Sequence, residues 1–419
     1  MKIAVASSCA VGIAAAVTLV LATPASAAVQ INPIFSNTFG LSCAGGSCGL
    51  DPSQVVSLSG NAAAMGAITA ATTQIASQFS NNLTENIVFF GYHGGTDSFL
   101  GASISGQTVY SYNQYTTALA AQAGANPQNT VLNTAVANLG AGNGAGISGA
   151  NVAVNTTDAR VLGLGVGVNT AFGPGDATAQ FTSTGAFVGS DAGGTADAVV
   201  FLNIDQPLFY TRPIPTPGQA IGFDAESTME HEIDETLGIG GAGSQLNSFN
   251  ADPNYAQDVF GVRGPLYGVM DLYRYAAPGV GSFDPTDTAV TGCPAGAGFT
   301  NTNLCTGANS PYFSVDGGLT SIDEFNQAFP EIGGDAGDWG LNLAQACPGN
   351  QFIGGTGDVQ DAFNCNNNSA DVRPGTPSFK AFEAIGFNAV PEPDAWLLMI
   401  AGFALAGTQL RRRAARARL

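Results

Sequence analysis

The chain has 419 residues, with 31 acidic against 12 basic side chains, a net charge of −19, two histidines and 56 glycines. Such one-sided charge argues against nucleic acid and anionic membrane surfaces as partners, because both repel it on approach. The acidic, glycine-rich, lysine-poor composition instead suits an exported protein, with structural calcium as one expected use of the carboxylates.

In chain order, Met1 and Lys2 precede an apolar run from Ile3 to Leu21 and then Ala25-Ser26-Ala27. This is the pattern of a secretory signal peptide over 1–27, cleaved after Ala27. The body, 28–390, opens with a helix predicted over Ser53–Phe79, with Val56, Met65, Ile68, Ile75 and Phe79 as its buried positions. Short strands are predicted at Ile87–Phe90, Thr108–Tyr112, Val152–Val154 and, from its β-branched and aromatic content, Ala198–Ile204. Helices are predicted at Asn113–Ala123 and Thr157–Leu164, and Leu139–Gly149 and Gly185–Gly194 read as loops. His93 follows the first strand at a glycine turn and is a secondary ligand candidate through the scarcity of histidine.

The stretch Phe223–Gly243, FDAESTMEHEIDETLGIGGAG, carries the other histidine among six carboxylates. Asp224 or Ser227 can cap a helix there and Gly238 can end it. His231 and Glu235, four apart, share one face, while Met229, Ile233 and Leu237 form a packing face on the other side. Glu230, Glu232, Asp234 and Glu235 crowd the later half, where the macrodipole disfavours negative charge, so the pattern asks for a cation. A metal held by His231 and Glu235, with Glu232 placed to take a proton from water, follows the logic of the HExxH helix, here written HExxE. The competing reading is a solvated acidic helix in which His231 and Glu235 form an ordinary i,i+4 pair.

After Gly238 the chain turns loop-rich, through PLYGVMDLYRYAAPG, PYFSVDGGLTSIDEFN and GGDAGDWG, to a last predicted helix at Ser378–Ile385. Apart from Cys9 in the leader, the cysteines fall in close pairs: Cys43 with Cys48, Cys293 with Cys305, Cys347 with Cys365. Disulfides between neighbours are expected in an oxidising compartment, since no pair has the spacing of a zinc ribbon. The tail, 391–419, holds Pro391-Glu392-Pro393, an apolar segment over 395–410 and an arginine cluster from Arg411 to Arg418. It closely resembles the PEP-CTERM sorting signal of Gram-negative bacteria. That resemblance implies an exosortase as partner, a transient inner-membrane anchor through 395–410, and delivery to the cell surface, matrix or medium.

The body resembles zincins, the metzincin branch in particular. HEIDETLG keeps that branch's glycine seven residues after the histidine, although the third-ligand position is Gly241. GVMDLYRYAAPG, YFSVDGG, GDAGDWG and FEAIGF are similar to a group of bacterial metalloprotease-like proteins that often carry such tails. The resemblance implies an α+β fold of zincin type. Its upper part, about 50–238, has a mixed twisted sheet and two long helices; its lower part, about 239–390, is loop-rich. It implies His231 and Glu235 as ligands, Glu232 as catalytic base and Met270 as the methionine beneath the metal. The third ligand is open among Asp271, the first choice, Asp258 and Asp316. Zinc is the implied cofactor, with manganese and calcium as alternatives because a second carboxylate hardens the donor set. The expected activity is hydrolysis of a protein or peptide substrate by an exported endopeptidase. The alternative is a non-catalytic surface or matrix protein on the same fold.

Overall fold

The computed structural model describes residues 29–35, 51–96, 99–139, 149–165, 197–215, 220–246, 263–275, 311–326, 335–340, 357–362 and 366–390, with a few short pieces besides. The segment expected to be a signal peptide, that expected to be a sorting tail apart from Phe403 and Gly407, Asp258 and the side chains of Cys43, Cys48, Cys293, Cys305, Cys347 and Cys365 lie outside the described residues. Among the described residues no helix is long and apolar enough to cross a membrane.

The architecture is α+β around one mixed sheet of eight strands. These are β1 (Val29–Phe35), β2 (Val55–Ser57), β3 (Leu83–Tyr92), β4 (Gly101–Ser111), β5 (Asn151–Asn155), β6 (Ala171–Phe172), β7 (Ala198–Asn203) and β8 (Leu266–Gly268). The main order is β1-β3-β7-β4-β5-β8, with β2 beside the end of β3 and β6 beside β4. β1, β3 and β7 run parallel, and β4 reverses against both β7 and β5. β7, AVVFLN, is buried along its whole length, as a continuous apolar run in a covered sheet must be.

Six α-helices are described: α1 (Ala62–Gln78), α2 (Tyr112–Ala125), α3 (Thr130–Asn138), α4 (Thr156–Val161), α5 (Ala225–Leu237) and α6 (Pro377–Ile385). α1 buries Ala64, Ala67, Ile68, Ala71 and Ile75, a stripe of mostly small residues that lets α5 pack closely on it. α6 starts at the Thr376 cap with Pro377 in its first turn and stops at left-handed Gly386. Its Phe379 and Phe382, with Phe387, pack on Phe79 at centroid distances of 5.3, 5.0 and 5.3 Å and join α6 to the end of α1.

Three expectations need correction. The first helix begins at Ala62 rather than Ser53, because Asn61 caps it by accepting from Ala64 N and β-branched Val55 and Val56 pair with β3 instead. The strand expected at Thr108–Tyr112 starts as early as Gly101, where pairing with β7 overrides the weak strand preference of glycine and serine. α3, capped by Asn129, lies in a stretch for which no element was predicted.

Candidate metal centre

α5 is capped at its start by Asp224, which accepts from Glu226 N, and ended by Gly238 at φ +117°, where any side chain would be strained. Its packing face is as expected, with Met229, Ile233 and Leu237 fully buried. The acidic face is buried too: Glu230, Glu232, Asp234 and Glu235 are 0, 6, 0 and 5% exposed. A solvated acidic helix does not describe this element. Amide side chains fix its last turn and the turn that follows, since Asn155 Nδ2 donates to Glu235 O at 2.8 Å and to Ser105 Oγ at 3.0 Å, and Gln107 Nε2 donates to Ala242 O at 2.8 Å.

His231 and Glu235 face a third group from a distant loop, Asp338, and one ligand atom of each lies within 4.8 Å of the others. His231 Nδ1 is 3.0 Å from Val359 O, so it carries the proton and leaves the Nε2 lone pair for the group. Glu235 Oε2 accepts from Ser103 Oγ at 2.5 Å and Oε1 from Gly241 N at 3.0 Å. Asp338 Oδ2 stands 3.9 Å from His231 Nε2 and accepts from Asp335 N at 3.1 Å. Glycines make the approach of this loop possible. A Cβ on Gly337 would lie 1.9 Å from Gly240 O, and one on Gly241 would lie 2.1 Å from Asp335 Oδ2. The glycines of GIGGAG and GDAGDWG thus let two backbones dock in contact, while buried Trp339 anchors the loop in the core.

Glu232 projects beside this group and not within it, with its carboxylate against β4. A Cβ on Gly101 would meet Glu232 Cγ and Oε1 at 2.7 Å. On the side of β4 away from β7, residues 101–105 pair with no described strand.

The electrostatics favour a cation here. Burial pushes the Glu232 carboxyl up to about 8, which His231 opposes and Asp335 and Asp338 reinforce. Burial, then Glu232, Asp335 and Asp338, hold Glu235 well above the carboxylate range. Burial raises Asp338 to about 6 against the pull of His231. For His231 burial acts to lower the pKa, but Asp338, Glu232, the Val359 carbonyl and Asp335 outweigh it and the result is raised. One imidazole cannot neutralise four neighbouring carboxyls. With a nitrogen lone pair and two carboxylates converging, the donor set fits a divalent ion of zinc or manganese type.

Other buried acids give the fold a pH dependence. Glu85 is wholly buried, and burial, reinforced by Asp197 and only partly offset by Arg160, raises it to about 8. The native state therefore keeps this proton up to about pH 8, whereas an unfolded glutamate releases it near about 4.3. Between those values folding binds the extra proton, so this contribution is complete below the lower value and lost as pH rises through the upper one. We expect the melting temperature of chelator-treated protein to fall from pH 5 to pH 8. A higher value at pH 8 would contradict the burial of Glu85.

The remaining predicted residues stand elsewhere. Asp271 does not join the group: its oxygens accept from Ser244 Oγ, Gln245 N and Gly268 N at 2.6, 2.9 and 2.8 Å, pinning the loop after α5 to β8. Met270 is buried beneath that loop, with its Cγ in the space a Cβ on Gly243 would fill. Asp316 is a turn carboxylate that accepts from Ser314 Oγ, Leu319 N and Thr320 N. His93 pairs with Asp205 at 2.8 Å. In a second carboxylate group, Glu226, Glu230 and Asp371, the first and last already hold the Arg212 guanidinium, which also contacts Asp224 and clamps the segment at 370–371 to the start of α5, while Glu230 accepts from Val372 N.

The chain matches no family model, no curated protein and no solved structure. Sequence reasoning missed Asp338, Ser103 and Gly101. The signal for Asp338 was present in GDAGDWG, an acid between glycines next to a tryptophan, but pairing that loop with α5 requires the fold.

Proposed function

We propose that the chain is a metal-dependent endopeptidase of zincin type. The observation that carries this reading is the convergence of His231, Glu235 and Asp338, with Glu232 beside them and outside the ligand set. His231 Nε2 and carboxylate oxygens of Glu235 and Asp338 would hold the ion. When bound, such an ion polarises a carbonyl and acidifies water. Glu232 takes the proton from the attacking water on its carboxylate and delivers it to the leaving amine. Glu232, raised by burial in the absence of an ion, would be shifted back toward its charged, basic form by a cation held in the group. The side of residues 101–105 that pairs with no described strand is where an extended peptide would add its backbone, and Gly101, having no Cβ, lets the Glu232 side chain lie against that same strand. Ser103 and Gly241 N hold Glu235 in place from opposite sides.

The expected leader and tail support a site of action outside the inner membrane, in a mature chain of about 28–390 after exosortase processing. A purified mass that retains Arg411–Arg413 would remove that part of the proposal. The activity is tested with the 28–390 body on an unfolded protein and a peptide library, with and without chelator. Cleavage abolished by chelator and restored by zinc or manganese is expected. Absence of cleavage after zinc, manganese and calcium have each been supplied would leave a non-catalytic surface or matrix protein as the function.

A further inference from the structure

Gln360 is polar, wholly buried and at the centre of contacts that the reaction above does not use. Its Nε2 donates to Asp338 Oδ1 at 3.0 Å and lies 3.2 Å from Nε2 and 3.5 Å from Nδ1 of His231. Near-equal distances to both ring nitrogens place the amide across the imidazole and out of line with the Nε2 lone pair. The direction in which that nitrogen would bind an ion stays open.

The backbone of the same segment is fixed on every side. Gln360 N donates to Asp358 Oδ1 at 3.0 Å, Gln360 O accepts from Trp339 N at 3.0 Å, and the preceding carbonyl, Val359 O, holds His231 Nδ1. The amide fills the space above left-handed Gly240, where a Cβ would lie 2.2 Å from its Nε2. The neighbouring Asp338 oxygen also fixes the orientation of the amide, because turning it over would set Oε1 against a carboxylate. Among the described residues Oε1 is buried without a partner, a cost that a side chain kept only for packing would not carry.

We propose that Gln360 is the positioning residue of the metal site. It ties the ligand supplied by α5, His231, to the ligand supplied by the loop, Asp338. It engages Asp338 through Oδ1, so that Oδ2 is the oxygen presented toward His231. This inference rests on the metal-site reading above and adds to it a residue that touches neither the ion nor the substrate. Outer partners that orient metal ligands typically contribute roughly 10–100-fold to affinity.

The test is Gln360→Met, which keeps length and apolar packing and removes the donor, with Gln360→Asn as a second variant that keeps the amide but shortens its reach. Zinc affinity by titration calorimetry and the visible absorption of the cobalt-loaded protein are read beside wild type and His231→Ala. We expect zinc binding roughly 10–100-fold weaker and a changed cobalt spectrum in whichever variants fold, with the metal-free melting temperature near wild type for Gln360→Met. Unchanged affinity and spectrum in a folded variant would overturn the role of Gln360 while leaving the metal site standing. A wild type that binds neither zinc nor cobalt would overturn both.

Discussion

Glu232→Gln is expected to lower hydrolysis of an unfolded protein by roughly 10²–10⁴-fold while the metal stays bound. The substitution keeps the shape of the side chain against Gly101, where the strand backbone lies in contact with its carboxylate. It leaves His231, Glu235 and Asp338 untouched. What it removes is the carboxylate proposed to take a proton and return it. Measuring turnover together with metal content separates this from simple loss of the site. Equal turnover in wild type and variant would refute Glu232 as the base. Reduced turnover with the metal lost would make it a ligand.

Asp338→Asn and His231→Ala should each cut metal affinity by more than about 100-fold, beyond what an outer partner contributes. Asp271→Asn should leave metal affinity near wild type and cost stability instead, on the order of 3–5 kcal/mol. It replaces a buried carboxylate that faces two backbone N–H groups and lies 3.6 Å from Arg274. The three variants divide two accounts of the third ligand, Asp271 as the first choice on sequence and Asp338 as the carboxylate that the fold brings beside His231 and Glu235. Equilibrium dialysis of zinc combined with thermal melting is sufficient. If Asp271→Asn lost the metal and Asp338→Asn kept it, Asp338 would not be the third ligand.

Local sequence reaches far at α5. The Asp224 cap, the Gly238 stop, the packing face of Met229, Ile233 and Leu237, and the shared face of His231 and Glu235 all follow from residue type and a 3.6-residue period. The same holds for β7 and α6, whose apolar runs and end signals lie within a few residues of each element. Local rules fail where pairing partners are remote. Residues Gly101–Ser105 have poor strand preference and become strand because β7 supplies their hydrogen bonds.

Burial of the acidic face of α5 was equally beyond the sequence, since charge pattern alone describes a solvated helix as well as an enclosed one. The choice of Asp338 over Asp271 depends on two glycine-lined backbones, at 240–241 and at 335–337, meeting across nearly a hundred residues of chain. Composition set the acidic character of the molecule, and the helix set two ligand candidates and a candidate base. Only the docking of the distant loop decided which carboxylate completes the group, because bringing an aspartate within reach of His231 is a matter of backbone contact and not of spacing along the chain.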